Sequence, residues 1–261
     1  MNDLSYYILQ LADDALILGH QNSEWCGHGP ILEQDVAITN ISLDLIGQAR
    51  NFYQYAAKLI NESSTTSFHL QNGLEVSEDT LAYLRDSRDF RNNLLVEQPN
   101  GDWAKTILRQ FFFSTYQYYL YQQLKSSTDN QLSAIAEKSL KEVNYHLRWS
   151  SEWVIRLGDG SEESRQRMLA ATDDLWTYTG ELFYPTEYEQ RLPGEVIPVD
   201  IKSLKLKWEE KIRTVFDEAT LPYPVNAFMQ TGGKEGRHTE HLGYILAEMQ
   251  YMQRTYPNSE W

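Results

Sequence analysis

The sequence has little of what marks a secreted or membrane-spanning protein. It contains one cysteine, Cys26, so no internal disulfide can form, and a reducing, cytoplasmic setting is the default expectation. No hydrophobic run is long enough to cross a bilayer. The opening residues, MNDLSYYILQLADDA, lack the basic start and the small-residue cleavage site of a signal peptide.

Basic residues are also scarce. The 261 residues include 23 Lys and Arg against 37 Asp and Glu, which gives a net charge of −14. A field of that sign repels phosphate backbones and anionic lipids, so the composition argues against nucleic-acid and membrane binding. Aromatic residues, in contrast, are abundant, with 7 Trp and 17 Tyr, which is compatible with a buried subunit interface.

The apolar residues recur at alternating steps of three and four, whereas strand-type alternation and internal repeats are absent. This pattern predicts an all-α bundle of long helices with additional C-terminal helices. In the first helix, Asp13 falls opposite the apolar stripe and Asp14 on its flank. Segments 61–79 and 184–199 are predicted to be a loop and an irregular connection. The later helices are predicted at about Ile31–Ile60, Thr80–Arg91, Trp103–Lys125, Ala134–Gly158, Ser161–Phe183, Asp200–Ala219 and Thr239–Tyr256.

The helix predicted over Ala134–Gly158 carries a carboxylate and an imidazole one turn apart, Glu142 and His146. In four-helix carboxylate proteins a Glu-x-x-His pair on such a helix holds half of a di-iron centre. Here the spacing is Glu-x-x-x-His, and Val143, which cannot bind a metal, stands three residues before the histidine. The alternative is an ordinary helix pair hydrogen-bonded across one turn, and the spacing favours it.

The other helices do not complete a di-iron ligand set of about four carboxylates and two histidines. The closest match on the second helix is Asp44-Leu-Ile-Gly47, which has glycine in the place of the histidine. Asp14 and Asp35 are other possible carboxylates, and the helix from Trp103 offers no inward acid. We therefore predict that Asp44, together with Glu142 and His146, is the remainder of a metal site.

A second polar cluster, TGGKEGRHTEHLG, opens the last helix and contains Lys234, His238, Glu240 and His241. A zinc site would need one or two further ligands, and the spacing is not that of a phosphate-binding P-loop. The favoured interpretation is a glycine turn and a charged first helical turn that fix the last helix or contact a partner. These four residues are the candidate partner interface.

A third polar cluster lies in the first interhelical connection and contains His20, Glu24, Cys26 and His28. Metal binding is one interpretation of these residue types. A tight corner packed around Trp25 explains them with fewer assumptions.

Four blocks of the sequence, in order and spanning nearly its whole length, resemble the PaaC-type subunits of bacterial phenylacetyl-CoA epoxidase, a multicomponent monooxygenase. The blocks are EWCGHGPILEQDVAITNISLDLIGQARNF, LLVEQPNGDWAKTILRQ, KEVNYHLRWS and GGKEGRHTEHLGYILAEMQYMQR. The resemblance implies one ferritin-like domain over residues 1–261, with a core bundle over about 3–158 and C-terminal helices over about 161–256.

The resemblance also implies a structural role without catalytic residues or a cofactor in this chain. The expected partner is a homologous PaaA-type subunit, which holds the di-iron centre and binds the CoA ester. Two alternatives remain open: a di-iron oxygenase in its own right that uses Asp44, Glu142 and His146, and a bundle for iron storage or small-ligand binding. The isolated chain could be a monomer or a homodimer.

Overall fold

A computed structural model describes residues 2–63, 76–225, 228–256 and 259. Within these ranges the chain forms ten α-helices and no β-strand, which confirms the all-α prediction. None of these described helices combines the length and the hydropathy that crossing a bilayer requires. The helices are α1 (Asp3–Ser23), α2 (Leu32–Glu62), α3 (Glu78–Tyr83), α4 (Trp103–Leu124), α5 (Asn130–Gly158), α6 (Glu162–Trp176), α7 (Glu187–Arg191), α8 (Ile201–Glu218), α9 (Glu240–Met249) and α10 (Tyr251–Thr255).

The chain divides into two compact units, each of which is discontinuous in sequence. The first unit consists of Met1–Glu97, Thr186–Leu192 and Gly232–Trp261. The second unit consists of Gln98–Pro185 and Pro193–Thr231. That the whole chain is one ferritin-like domain remains a prediction.

The first unit is built on α1 and α2, which pack along each other. The Asn2 side chain caps α1 by accepting a hydrogen bond of 2.8 Å from the Ser5 N–H. Nearly every residue of α1 from Ser5 to Asn22 is buried, so this helix has no solvent-facing stripe. The side of α1 opposite the predicted stripe is therefore buried as well, and Asp13 and Asp14 are both inside the unit.

Helix α2 buries one face and leaves another open. The buried face consists of Ile38, Ile41, Leu45, Ala49, Phe52 and Ala56. Ile31, where the helix was expected to begin, precedes it and is exposed. At the N-terminal end, the Asp35 side chain accepts a hydrogen bond of 3.1 Å from the Gly29 N–H and so closes the preceding loop.

Two predicted helices of the first unit are shorter than expected. Helix α3 ends at Tyr83 rather than at Arg91, and a single 3-10 turn follows at residues 87–89. The chain leaves the helical path because the Arg85 side chain turns into the interior of the unit. The last helix is interrupted at Gln250, whose buried side-chain amide donates to the carbonyl oxygens of Ala82 and Arg85. Of the predicted loop at 61–79, residues 64–75 lie outside the described residues.

The connection predicted as irregular over residues 184–199 contains the short helix α7. A capping box starts this helix, because the Thr186 hydroxyl accepts from the Glu189 N–H and the Glu189 carboxylate accepts from the Thr186 N–H. The prediction of an irregular segment is therefore wrong at this point.

The second unit is organised around α4, which packs against α5, α6 and α8. Local capping explains where its helices begin: Asp102 caps α4, Asp129 caps α5, Ser161 caps α6 and Asp200 caps α8. The predicted element Ser161–Phe183 is not one helix, because α6 ends at Trp176 and a separate 3-10 turn covers Gly180–Phe183.

The aromatic residues of α4 fill the core of the second unit. The Phe112 ring lies 5.7 Å from the rings of Trp176 and Trp208 and 6.1 Å from that of Phe216, measured between centroids. The Trp208 indole N–H donates a hydrogen bond of 2.9 Å to the Phe112 carbonyl oxygen. Much of the aromatic content that was compatible with a subunit interface is thus used inside this unit.

Candidate functional site

The first candidate pair, Glu142 and His146, lies on α5 in the second unit. The His146 side chain is completely buried. Val143 is also completely buried, whereas Glu142 is half-buried. The inward place one turn before the histidine is therefore held by an apolar side chain.

Helix α4, which packs along α5, has no acidic residue between Trp103 and Leu124. Its buried polar side chains include neutral amides and hydroxyls. The Gln110 amide donates a hydrogen bond of 2.7 Å to Ser114 Oγ, and the Gln117 amide donates one of 3.3 Å to Tyr121 Oη. Amides are weaker metal ligands than carboxylates, so α4 lacks the carboxylate that a di-iron centre takes from such a helix.

The third predicted ligand, Asp44, lies on α2 in the first unit and is half-buried. Gly47, in the place of a ligating histidine, is exposed, and no described atom lies within 4 Å of where its Cβ would be. The other possible acids have structural roles: Asp35 holds the Gly29 N–H, and Asp14 accepts hydrogen bonds of 2.6 and 2.7 Å from Asn93. The assignment of Asp44, Glu142 and His146 to a former metal site stays a prediction.

Asp13, which lies on α1 opposite the predicted stripe, is the centre of a buried ionic cluster. Asp13 accepts hydrogen bonds from both terminal nitrogens of Arg85, from the Tyr53 hydroxyl at 2.5 Å and from the Arg91 N–H at 2.8 Å. The Arg85 guanidinium also stacks over the Phe90 ring, 4.1 Å from its centroid. Protein donors occupy both carboxylate oxygens of Asp13. The cluster therefore has a structural role, linking α1 to α2 and to the segment that follows α3.

Burial controls protonation in this interior. Desolvation, together with the negative charge of Asp13, raises the pKa of Tyr53 well above its ordinary value, so the phenol remains a neutral donor. Desolvation also raises the pKa of Asp14 well above the ordinary carboxyl value, although hydrogen bonds from Asn93 and the charge of Lys234 act in the opposite direction.

The C-terminal polar cluster is anchored by Glu97, a completely buried residue. Its carboxylate accepts hydrogen bonds from the N–H and the hydroxyl of Thr239, at 2.6 and 2.7 Å, and from the Asn92 amide at 2.8 Å. His238 Nδ1 lies 2.8 Å from the same carboxylate, and His238 Nε2 lies 3.0 Å from the Phe90 carbonyl oxygen. One acid therefore fixes the start of α9.

The lysine of the same cluster also points inward. Lys234 is almost completely buried, and its ammonium lies 3.0 Å from both carboxylate oxygens of Glu189. Of the four predicted interface residues, Lys234 and His238 are thus engaged within the first unit. Glu240 is exposed and His241 is half-buried, so these two present the surface part of the cluster.

In the part of the chain that the structure describes, the side chains close enough to share a metal ion are His20, Glu24 and Glu248. One ligand atom from each lies within 4.8 Å of the others. Both glutamates are exposed, and Cys26 and His28 of the predicted corner do not join this group.

The open face of α2 is a line of exposed apolar side chains. Leu32, Val36, Leu43 and Ile46 are exposed by 75%, 50%, 62% and 40%, and their spacing places them on one side of the helix. Contiguous exposed apolar residues on a folded unit mark a surface that another molecule covers.

Comparison with known proteins assigns a family to this arrangement. Residues 1–261 match the family model PaaA_PaaC, described as phenylacetic acid catabolic protein. The chain is also 48% identical over 261 residues to the C subunit of the 1,2-phenylacetyl-CoA epoxidase of Escherichia coli strain K12, with 100% of both chains covered. The chain belongs to the phenylacetic acid catabolic protein family. The resemblance seen in the sequence is confirmed.

The sequence did not identify the two acids that organise the first unit, Asp13 and Glu97. Glu97 stands in LLVEQPNG, between the helices predicted at Thr80–Arg91 and Trp103–Lys125. An acid inside an apolar connection is the signal that could have identified it, because a charge there must find buried partners. Asp13 carries a similar signal, since it stands in a helix whose other side chains are largely apolar.

Proposed function

We propose that this chain is the structural, non-catalytic subunit of a cytoplasmic monooxygenase that epoxidises the aromatic ring of phenylacetyl-CoA in phenylacetate catabolism. Its partner is a PaaA-type catalytic subunit, which holds the di-iron centre and binds the CoA ester. The full-length similarity to a subunit of such an epoxidase supports the reaction and the type of assembly. In this proposal, the chain supplies a helical surface that keeps the catalytic subunit in its active shape.

The observation that carries the proposal is the exposed apolar face of α2. Burying apolar surface contributes about 25 cal/mol per Å² removed from water, so an open row of Leu, Val and Ile side chains favours association. The α2 face therefore serves an external contact.

The ligand chemistry supports a role without catalysis in this chain. Val143 occupies the inward place before His146, Gly47 stands where a second histidine would be needed, and α4 contributes no acid. A bundle can lose metal ligands and remain folded, because burying a carboxylate without its metal is costly and neutral side chains avoid that cost.

Co-purification tests the subunit role. The chain is co-expressed with the PaaA-type catalytic subunit and isolated through a tag on that subunit. We expect the wild-type chain and the control variant Leu206→Glu to be retained, and Leu43→Glu to be lost. Leu206 is a matched control, because it is 66% exposed and lies on helix α8. Equal retention or equal loss of the two variants contradicts the assignment to α2.

Activity and metal content test the division of labour. Ring epoxidation by the catalytic subunit and its reductase should require this chain. Full turnover without it contradicts the structural role. Two tightly held irons per isolated chain, lost in His146→Ala, would establish instead that this chain is itself a di-iron oxygenase.

A further inference from the structure

We infer that His20, Glu24 and Glu248 form a binding site for one divalent transition-metal ion, and that Zn²⁺ suits these ligands best. All three residues belong to the first unit. The ion links the C-terminal end of α1 to α9 and so holds the last part of the chain in place. This role is structural and goes beyond the proposed function, because it does not involve the catalytic subunit.

The end of α1 presents two of the three side chains on one side. Glu24 follows the last residue of α1 but keeps helical backbone angles, with φ −61° and ψ −20°. The turn continues past it, because the Trp25 N–H donates a hydrogen bond of 3.1 Å to the Asn22 carbonyl oxygen. His20 and Glu24 are therefore one helical turn apart, the spacing at which two side chains of a helix can bind the same ion.

The third side chain, Glu248, comes from α9. The buried Gln250 amide anchors this end of α9, since it donates to the carbonyl oxygens of Ala82 and Arg85 at 3.2 and 3.0 Å. In the described part of the chain, Glu248 belongs to no ion pair. Its carboxylate is thus held close to that of Glu24, where a cation between them relieves the repulsion of like charges.

The distances within this cluster suit one ion. One ligand atom from each of the three side chains lies within 4.8 Å of the other two. Nitrogen and oxygen ligands lie about 2.0–2.2 Å from zinc, so two of them in tetrahedral coordination are about 3.4 Å apart. Both glutamates are exposed, and rotation of their side chains can close the remaining gap without disturbing the core.

The imidazole gives an independent indication of a ligand. His20 Nε2 is buried, and it has no hydrogen-bond partner among the described residues. A buried polar atom without a partner is unfavourable, and a bound ion is one of the arrangements that explain it. We assign the metal bond to this nitrogen. The carbonyl end of α1 also favours a cation, because the last turn of a helix carries a partial negative charge.

The ligand set selects the kind of ion. One imidazole with two carboxylates suits Zn²⁺ or Mn²⁺, whereas Mg²⁺ and Ca²⁺ prefer oxygen ligands alone. Of the first two, Zn²⁺ binds a given set of nitrogen and oxygen ligands more tightly. Three protein ligands leave the fourth position of Zn²⁺ to water, which the exposed glutamates allow.

Titration with Zn²⁺ alone tests the site. The purified full chain is stripped of metal with a chelator, and binding is then followed by calorimetry. We expect one Zn²⁺ per chain, retained in excess Mg²⁺. His20→Gln and Glu248→Gln should each weaken binding at least tenfold, since even residues that only support a metal ligand change the affinity about 10–100-fold. Glu248 is exposed, so Glu248→Gln keeps the fold even if His20→Gln disturbs it.

Control variants separate this site from binding elsewhere on the surface. Glu62→Gln removes the same charge from the end of α2, and His28→Gln removes an imidazole from the loop after α1; both residues are exposed. Neither change should alter the Zn²⁺ affinity. Binding that is as tight in His20→Gln as in the wild-type chain, or that Mg²⁺ displaces, indicates an adventitious ion only and overturns the inference. Binding that is lost in His146→Ala instead assigns the metal to α5 and also overturns it.

Amide hydrogen exchange tests the link between the two helices. An ion held by side chains of both α1 and α9 stabilises the closed form, because it does not bind once the helices separate. At a free Zn²⁺ concentration about 100 times the dissociation constant, exchange through such openings should slow about a hundredfold in α9. Glu248→Gln should not show this protection. Zn²⁺ that binds but leaves exchange in α9 unchanged is held by α1 alone and overturns the inference.

Discussion

The two compact units are stabilised by different kinds of interior. In the first unit, charged side chains are buried and paired across long sequence distances, Asp13 with Arg85 and Lys234 with Glu189, and the buried Glu97 carboxylate contacts the His238 ring. In the second unit, the interior around α4 is aromatic, with Phe112, Trp176, Trp208 and Phe216 in contact. The second unit also buries Arg109 and Glu181, so the contrast is between paired charges in the first interior and clustered aromatic rings in the second.

This difference shows what each unit requires of its sequence. A buried ion pair adds little net stability over an apolar pair, but it penalises any arrangement in which one charge is left alone. The first unit is assembled from three separate segments, so we expect its ionic pairs to select one arrangement of them. The second unit packs around the single helix α4, and shape complementarity serves the same purpose there.

The largest effect is expected in the aromatic interior. Phe112→Ala should lower the free energy of unfolding by about 3–5 kcal/mol, because it leaves a cavity between rings that cannot close in. Urea unfolding followed by tryptophan fluorescence measures the loss, since Trp176 and Trp208 lie against Phe112. A loss below about 1 kcal/mol would contradict the view that close packing of the aromatic side chains stabilises this unit.

Breaking one buried ion pair should lower the free energy of unfolding slightly less than Phe112→Ala does. Further substitutions should restore part of that free energy. Arg85→Met leaves Asp13 buried without its cation, and we expect a loss of about 3 kcal/mol. Adding Asp13→Leu and Tyr53→Phe removes the buried carboxylate and hydroxyl and should recover part of that loss, since only the Arg91 N–H then lacks the acceptor that Asp13 supplied. If the triple variant is as unstable as Arg85→Met, the loss comes from disturbed packing and not from an unpaired charge. The proposed difference between the two interiors would then be contradicted.

The smallest effect is a dependence on pH in the first unit. Burial in the folded state raises the pKa of Asp14 well above the ordinary value of 3.8. At pH values between 3.8 and the raised folded-state pKa, Asp14 is therefore more often protonated in the native protein than in the unfolded chain. The contribution of Asp14 to stability should decline as the pH rises through this window, by at most about 1.4 kcal/mol per pH unit.

The matched variant for this measurement is Asp14→Asn, which does not titrate. Urea midpoints of both proteins, from about pH 5 to about pH 8, give the difference in stability. We expect that difference to shift in favour of Asp14→Asn as the pH rises. A constant difference would mean that Asp14 has an ordinary pKa in the folded chain.

Helix starts could be predicted wherever the signal is local. Asp102, Ser161 and Asp200 each stand next to the helix they cap, and all three caps are present. Helix ends were less predictable, because they depend on distant contacts. The Arg85 side chain leaves the path of α3 to reach Asp13, and Gln250 interrupts the last helix to bind carbonyl groups near Arg85.

The sequence by itself determined the all-α class, the long helices and the lack of acids on α4, because periodicity, caps and composition are local properties of the chain. Only the tertiary structure decided that Asp13 is buried and that Glu97 binds His238, 141 residues later. It also decided which apolar face of α2 remains open. Burial depends on which segments meet in space, and a stripe of leucine and valine looks the same in the sequence whether it is covered or not.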